Sequence, residues 1–250
     1  MTTIEGKTVV ITGAGSGIGL ACANGFLADG ATVLGVDNKR DRLEDLASKG
    51  ALTMTADVSD DAAMRAMVEK AVEETGRIDV LFNNAGMGSP KRIEDLADGE
   101  FEHFMAVHVF GAIYAMRAAV PHMRRQNYGR IISTVSRGAE GKQGAAYNAA
   151  KAALWSVSRC LAHDVSDNDI LVNSLIPGPT NTPIFGRDMP HLQSPEKVYP
   201  TVRMMATFEK GGPSGEVFFW EKQYPMFLST IPADANLDYW KEYAKKEGLY

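Results

Sequence analysis

Near its N-terminus the chain reads Thr8-Val9-Val10-Ile11-Thr12-Gly13-Ala14-Gly15-Ser16-Gly17-Ile18-Gly19. The β-branched first part of this stretch predicts a buried strand, and the apolar spacing of residues 20–27 predicts a helix after the glycines. Glycines between a strand and a helix allow a tight turn and let a ligand approach the backbone without meeting a Cβ atom. The helix N-terminus then offers unpaired N–H groups and a partial positive charge, which suit a pyrophosphate. The residues that we expect to contact it are Gly13, Ser16, Gly17, Ile18 and Gly19.

An acidic residue after the second predicted strand, residues 32–36, indicates which dinucleotide the glycine turn binds. Asp37 follows Gly19 by 18 residues, and a carboxylate at this position accepts hydrogen bonds from an adenosine ribose. Because the carboxylate also repels a 2′-phosphate, the sequence favours NAD over NADP as the cofactor. Lys39 and Arg40 lie close by and would weaken that preference.

Short apolar runs alternate with amphipathic stretches as far as residue 176. This alternation predicts an α/β protein in which a doubly wound parallel sheet has helices on both faces. Ligands of such sheets bind beyond the carboxyl ends of the strands, where the strand order reverses. The predicted strands are residues 8–12, 32–36, 52–55, 78–82, 130–135 and 171–176. The predicted helices are residues 20–27, 40–48, 60–74, 101–125 and 145–165.

We expect one dinucleotide-binding and catalytic domain over residues 1–250, because no composition shift marks a boundary. From Pro177 to Gly215 prolines interrupt the regular pattern. Since a long loop inside a compact domain is usually functional, we interpret residues 183–212 as a substrate lid. The lid contains a short predicted helix near residues 195–206.

The composition limits the classes of partner. Of the 250 residues, 45% are hydrophobic and 23% charged, as in globular proteins. The net charge of −5 provides no broad basic surface for nucleic acid. No apolar stretch approaches the ~18 residues of a membrane helix, and the first residues lack a signal-peptide pattern, so we expect no membrane partner. Cys22 and Cys160 are too few for a disulfide framework; we expect both in the core and the protein in the cytoplasm.

Tyr147 and Lys151 lie one turn apart on the last predicted helix and so share a face. A phenol with a pKa near ~10 is a poor base at neutral pH, and lowering its pKa to about 7 requires roughly 4 kcal/mol. One ammonium ~4 Å away supplies about that much at an effective dielectric constant of ~20. The pair therefore predicts a general acid/base, Tyr147, whose pKa is lowered by Lys151.

With the glycine turn and this pair in place, the sequence resembles the short-chain dehydrogenase/reductase family over nearly its whole length. The resemblance implies a Rossmann-like fold and hydride transfer between a carbinol carbon and a nicotinamide. Five ordered segments match the family's motifs: Thr12–Gly19, Asp57-Val58, Asn83-Asn84-Ala85-Gly86, Tyr147-x-x-x-Lys151, and Pro177-Gly178 with Thr182.

The resemblance also implies roles for residues outside the glycine turn. Asp57 and Val58 would border the adenine, and Thr182 would meet the nicotinamide amide. Tyr147 would exchange the alcohol proton, while Lys151 would also hold the nicotinamide ribose. The segment that would line the adenosine side is Asn84, Ala85 and Gly86.

Two positions depart from the family pattern. The serine that would bind the substrate oxygen usually lies thirteen residues before the tyrosine, where this chain has Thr134. Counting along the strand from Gly129 places Ser136 there instead, and we prefer Ser136 because strand length is fixed by the sheet whereas loops absorb deletions. His108 stands where the family usually has an asparagine, which would anchor a water molecule between the lysine and bulk solvent. A histidine at this position would either relay protons itself or weaken that relay.

We therefore predict an NAD-dependent oxidoreductase that interconverts a secondary alcohol and a ketone. The alternatives are a 3-ketoacyl-thioester reductase and a non-catalytic NAD-binding scaffold or sensor. No metal site is predicted, because the other histidines lack ligand spacing. We expect a homo-oligomer, a tetramer before a dimer, with the aromatic residues after Val217 packed between subunits rather than in a substrate pocket. These residues are Phe218, Phe219, Trp220, Tyr224, Phe227, Tyr239, Trp240, Tyr243 and Tyr250.

Overall fold

Eight strands form one sheet in the computed structural model, which describes residues 2–88, 91–140 and 144–226. Their order is β3-β2-β1-β4-β5-β6-β7-β8, so the strand order reverses between β1 and β4. Neighbouring strands are parallel except β7 and β8, which are antiparallel. The strands are β1 Thr8–Thr12, β2 Thr32–Asp37, β3 Leu52–Thr55, β4 Val80–Asn83, β5 Gly129–Thr134, β6 Ile170–Ile176, β7 Val217–Phe219 and β8 Lys222–Gln223.

Helices follow most of the strands and cover both faces of the sheet. They are α1 Gly17–Ala28, α2 Glu44–Ser48, α3 Asp61–Thr75, α4 Glu100–Met105, α5 Gly111–Gln126, α6 Ala145–Asp164 and α7 Tyr199–Ala206. A π-helical turn, Ala106–Phe110, joins α4 to α5. The predicted α/β class and doubly wound parallel sheet are confirmed, while β7 and β8 were not predicted.

Alternation along the strands builds a core on each face of the sheet. In β1, Val9 and Ile11 pack in the same cluster as Phe26 of α1. Val10 points to the opposite face, where Met64 of α3 and Ala115 of α5 lie. Each of these side chains is fully buried, which is worth about 1.5–3 kcal/mol for a large apolar side chain. The central strands β1, β4, β5 and β6 are buried along their whole length because both faces of the sheet are covered.

The segment Glu100–Gln126 corrects the expectation that no apolar stretch has the length of a membrane span. Its 27 residues are long and apolar enough by length and composition, and 44% of its most apolar window is buried. In this structure Ala115, Met116 and Ala119 of the segment belong to the core against the sheet. Packing on the sheet accounts for the apolar composition of the helix.

The predicted core position is right for Cys22 and wrong for Cys160. Cys160 is exposed, whereas Ser158 and Ala162 of the same helix are buried. Two residues correspond to about 200° of rotation around an α-helix. Cys160 therefore lies on the outer face of α6.

The segment after β6 combines two short 3-10 turns, Pro183–Phe185 and Pro195–Val198, with α7. The predicted helix near residues 195–206 is confirmed. It packs on α1, where the Tyr199 hydroxyl donates to Asp29 Oδ2 at 2.8 Å. Residues 183–188 of the expected lid are all exposed, with Phe185 48% accessible, whereas α7 buries Val202 and Met205.

The aromatic residues after Val217 divide between core and surface. Phe218 is buried among residues of its own chain, while Trp220 is 54% exposed and stacks on Phe219 at 4.6 Å. Phe218 therefore serves the core, which the sequence did not predict. Tyr224 is half-buried and lies edge-on to Phe219, with ring centres 6.3 Å apart. The other five lie outside the described residues: Phe227, Tyr239, Trp240, Tyr243 and Tyr250.

Candidate active site

The glycine turn lies at the carboxyl end of β1, beside the reversal of strand order. Helix α1 begins at Gly17, and the side chain of its N-cap residue, Ser16, makes no capping hydrogen bond. The first N–H groups of a helix have no intrahelical partner, so they and the Ser16 hydroxyl are suited to an anion. Gly19 cannot be replaced without a shift, because a Cβ there would lie 2.0 Å from Gly13 O. The turn is therefore suited to a pyrophosphate, the group that the sequence analysis assigns to it.

Asp37 ends β2 with its side chain turned towards the glycine turn. Its Oδ2 accepts the Gly15 N–H at 3.1 Å, and its Oδ1 accepts the Lys39 N–H at 3.0 Å. The residue is 7% exposed. Arg42 also approaches this point, since a Cβ on Gly15 would lie 2.6 Å from Arg42 Cβ. The Asp37 carboxylate is thus fixed beside the turn, and the Cβ atom of Arg42 lies near the same glycine.

Hydrogen bonds tie the carboxyl ends of β1, β4 and β5 together. Thr12 Oγ1 accepts the N–H groups of Asn84 and Ala85, each at 3.1 Å. The Asn84 amide donates to Thr12 O at 3.2 Å and accepts the Thr134 hydroxyl at 3.3 Å. The Thr12 hydroxyl was not singled out from the sequence, although it belongs to the quoted motif. Asn84 and Ala85 thereby lie next to the glycine turn.

Tyr147, Ser136 and Lys151 meet where β5 gives way to α6. Tyr147 and Ser136 share a side-chain hydrogen bond. Lys151 is 3% exposed and donates to Thr134 O at 2.7 Å. Its ammonium lies 5.6 Å from the centre of the Tyr147 ring. Thr134 therefore contributes its carbonyl to Lys151 and its hydroxyl to Asn84, while the hydroxyl beside the phenol is that of Ser136.

The expected lowering of the phenol pKa is not found. Burial raises the pKa of Tyr147, and the hydrogen bond with Ser136 offsets only part of that rise. Burial also lowers the pKa of Lys151 to about 7. Both shifts have one cause, because a low dielectric disfavours the charged form of each group. The Lys151 ammonium is directed at a carbonyl, and its charge does not overcome the cost of burying a phenolate.

The remaining predicted residues lie at different distances from this centre. The Thr182 side chain approaches the glycine turn, since a Cβ on Gly17 would lie 3.0 Å from Thr182 Cγ2. Asp57 is exposed, and its pKa is lowered because it accepts the Ser59 N–H and hydroxyl. Val58 is buried beside α5. Among the residues that the structure describes, no group of three or more His, Cys, Asp or Glu side chains is placed to hold a metal ion.

Known proteins resemble this chain over most of its length. A family model for the short chain dehydrogenases matches residues 7–192. Versicolorin reductase stcU from Emericella nidulans is 35% identical over 192 residues, which cover 73% of this chain and 72% of that protein. Meso-2,3-butanediol dehydrogenase from Serratia marcescens is 35% identical over 184 residues, with 71% and 73% covered.

Two solved reductase structures also resemble this chain. The NADH complex of 3-ketoacyl-(acyl-carrier-protein) reductase from Brucella melitensis superposes with a TM-score of 0.81 at 31% identity, covering 86% of this chain and 96% of that one. Levodione reductase superposes with a TM-score of 0.80 at 26% identity, covering 87% and 96%. Together with the matched motifs and the strand order, these likenesses show that the chain belongs to the short chain dehydrogenase family of oxidoreductases.

Proposed function

We propose that this protein is an NAD-dependent oxidoreductase that interconverts a secondary alcohol and a ketone, with Tyr147 as the general acid/base. The observation that carries the proposal is the meeting of Tyr147, Ser136 and Lys151 at the carboxyl edge of the sheet. Paired hydroxyl groups can bind one carbonyl oxygen, and a buried phenol can supply its proton. The chain thus has the groups that carbonyl reduction requires.

The residues of the glycine turn fit a dinucleotide. The uncapped N-terminus of α1 would take the pyrophosphate, Asp37 the adenosine ribose, and Thr182 the nicotinamide end. When bound, NAD(H) supplies or accepts the hydride, which is chemistry that no side chain provides. Lys151 would hold the nicotinamide ribose from within the site.

Proton transfer is the task of the chain's own residues. Ser136 would donate a hydrogen bond to the substrate oxygen and so fix it beside the phenol. Tyr147 would donate its proton to that oxygen during reduction and would take the proton back during oxidation. Since burial raises the pKa of Tyr147, the protonated form that reduction needs predominates at neutral pH.

Asp37 supports NAD rather than NADP, because its fixed carboxylate would face a 2′-phosphate. The likeness to a reductase solved with NADH agrees with this assignment. A 3-ketoacyl-thioester reductase is the second candidate, favoured by the same likeness. A non-catalytic scaffold is disfavoured by the complete set of Ser136, Tyr147 and Lys151.

We further propose a cytoplasmic homo-oligomer, a tetramer before a dimer, acting on small molecules and on neither nucleic acid nor membrane. Two exposed rings on the helical segment around the π-helical turn support self-association, since Phe101 is 38% and Phe110 45% exposed. The net charge of −5 supports the absence of a nucleic-acid partner.

A reduction screen tests the proposed function. The protein would be mixed with NADH or NADPH and with cyclic ketones, α-diketones, aromatic ketones or an acetoacetyl thioester, and loss of the reduced cofactor's absorbance recorded. Turnover of a ketone with NADH supports the first candidate, and selective turnover of the thioester supports the second. Tight NADH binding without turnover of any compound would favour the scaffold.

Removal of the Ser136 hydroxyl should slow turnover far more than removal of the Thr134 hydroxyl. We expect Ser136→Ala to lower kcat/KM by about 10²-fold, the typical loss for one preorganised donor to a reacting oxygen. Thr134→Val keeps the carbonyl that binds Lys151, so we expect a loss below about fivefold. Steady-state kinetics of both variants show whether Ser136 or Thr134 binds the substrate oxygen. A larger loss in Thr134→Val would assign the substrate contact to Thr134.

The pH dependence reports the protonation state of Tyr147. Reduction of a ketone by NADH consumes one proton. The ratio of kcat/KM for oxidation to kcat/KM for reduction must therefore rise about tenfold per pH unit. Because the pKa of Tyr147 is raised, oxidation should carry this slope between about pH 6 and 9, and reduction should stay flat. An inflection near pH 7 would report Lys151, whose pKa is about 7. A kcat/KM for oxidation that does not change with pH, together with a kcat/KM for reduction that falls as the pH rises, would contradict a raised pKa of Tyr147.

A further inference from the structure

Two buried side chains near the active site have polar atoms without a partner among the described residues. These atoms are Nδ1 of His108 and both amide atoms of Asn83. His108 is 1% exposed and Asn83 5%. Buried polar groups are nearly always hydrogen bonded to protein or to an ordered water. Three orphaned atoms on two neighbouring elements therefore indicate a shared partner.

A small cavity lies between these two residues. Its volume is about 10 Å³, counted as the space open to the centre of a water molecule. Asn83 and His108 both line it, and most of the remaining lining is apolar, including Val58, Val107 and Ala112. A polar cavity of roughly this volume holds one water molecule. Asn83 ends β4, whereas His108 lies in the π-helical turn, so the cavity joins the sheet to the long helix.

The opposite side of the His108 ring holds the loop that follows β4. Nε2 lies 3.1 Å from Met87 N and 2.9 Å from Met87 O. One tautomer accepts the Met87 N–H, and the other donates to the Met87 carbonyl. In the first tautomer Nδ1 carries the proton and donates, and in the second it is unprotonated and accepts. A water molecule can pair with Nδ1 in both tautomers, because water donates and accepts hydrogen bonds.

The same ring also packs against the proposed acid/base. It lies edge-on to Tyr147, with ring centres 5.6 Å apart, and stacks on Phe104 at 5.7 Å. Its place depends on Gly86, where a Cβ would lie 2.5 Å from His108 Cε1. Burial and the neighbouring Lys151 lower the pKa of His108 to about 2. The imidazole is therefore neutral at ordinary pH, which suits a group that positions others rather than one that exchanges protons.

We propose that one buried water molecule links His108 Nδ1 to the Asn83 amide, and that His108, fixed in this way, is a positioning residue for Tyr147 and for the loop at Met87. The kinetic part of this inference rests on the proposed function. The structural part stands without it, because the water and the Met87 contact involve no substrate.

A crystal structure at a resolution that shows water tests the structural part. We expect one water molecule within hydrogen-bond distance of His108 Nδ1 and Asn83 in the wild type, and none in Asn83→Leu. Hydrogen exchange supplies a second readout, since His108→Phe removes every hydrogen bond that Nε2 can form with the carbonyl or the amide N–H of Met87. We expect that amide to exchange at least about tenfold faster in His108→Phe. A dry cavity, or exchange at the wild-type rate, would overturn the proposal.

The kinetic test compares His108→Phe with His108→Gln. Phe keeps the ring contacts and loses both nitrogens, whereas the Gln carboxamide can offer a donor and an acceptor to Met87. We expect kcat to fall at least about tenfold in His108→Phe and to stay within about threefold of wild type in His108→Gln, because small misplacements of a reacting group are costly. The dissociation constant of NADH should change less than about twofold in both. A double variant with Asn83→Leu should lose no more than His108→Phe alone.

His103 provides the matched control, since it is an exposed histidine on the adjoining helix. His103→Phe and His103→Gln should both match wild type. Equal losses in the two His108 variants, or full activity in His108→Phe, would overturn the positioning role. If the wild type reduces no ketone, the proposed function fails, and the water and exchange measurements still decide the structural inference.

Discussion

Replacement of Tyr147 by Phe should reduce kcat/KM for ketone reduction by about 10³-fold, which corresponds to about 4 kcal/mol of transition-state stabilisation. The variant loses the proton that the substrate oxygen receives and the hydroxyl that bonds Ser136. It keeps the ring that packs edge-on against His108. The dissociation constant of NADH, measured by fluorescence titration, should therefore stay within about twofold of wild type.

Tyr128→Phe is the matched control for this loss. Tyr128 precedes β5 at the opposite edge of the sheet, and its buried hydroxyl has no hydrogen-bond partner among the described residues. Its ring lies under the cations of Lys7 and Arg130, and Phe preserves that stacking. We expect wild-type kinetics from Tyr128→Phe. Turnover in Tyr147→Phe within about tenfold of wild type would mean that another group, or solvent, supplies the proton.

Local signals in the sequence predict most of the sheet and the position of the site. The β-branched run 8–12 and the glycines after it predict β1, its turn and α1, because strand propensity and turn chemistry agree there. Asp37, Asn84 and Tyr147 lie at carboxyl ends of strands or on the following helix, as the rule for parallel sheets requires. These three residues lie on the same side of the sheet because the carboxyl ends of its parallel strands meet there. A correct prediction of the strand order is therefore enough to predict that they lie near one another.

Features that depend on burial and on the backbone could not be predicted from residue types. The raised pKa of Tyr147 depends on how deeply α6 buries the phenol, and the spacing from Lys151 contains no such information. The contact between Lys151 and Thr134 involves a carbonyl, which every residue has. Strand β7 has three residues, too short for its period to distinguish it from a loop. The π-helical turn at His108 likewise has no pattern of its own.

Replacement of Asp37 by Ser should shift the ratio of kcat/KM for NADPH over NADH by about 10²-fold in favour of NADPH. A carboxylate ~5 Å from one unit of phosphate charge costs about 3 kcal/mol at an effective dielectric constant of ~20. That repulsion disappears with Asp37, while Arg42, whose Cβ atom lies near Gly15, keeps a positive charge in the neighbourhood. Asp41→Ser is the control, because it removes an equal charge from an exposed position in the adjoining 3-10 turn. An equal shift in Asp41→Ser would assign the effect to net charge.

The direction of the change in kcat/KM with each cofactor separates a loss of cofactor discrimination from a disturbed glycine turn. Asp37 also accepts the N–H groups of Gly15 and Lys39, and a serine hydroxyl can replace only part of that. A disturbed turn would weaken both cofactors, since both place their pyrophosphate at the same helix N-terminus. A fall with NADH alone is therefore ambiguous, whereas a rise with NADPH above the wild-type value can come only from removal of the repulsion. If NADPH efficiency does not rise in Asp37→Ser, Asp37 does not determine cofactor choice and the assignment of NAD loses its basis.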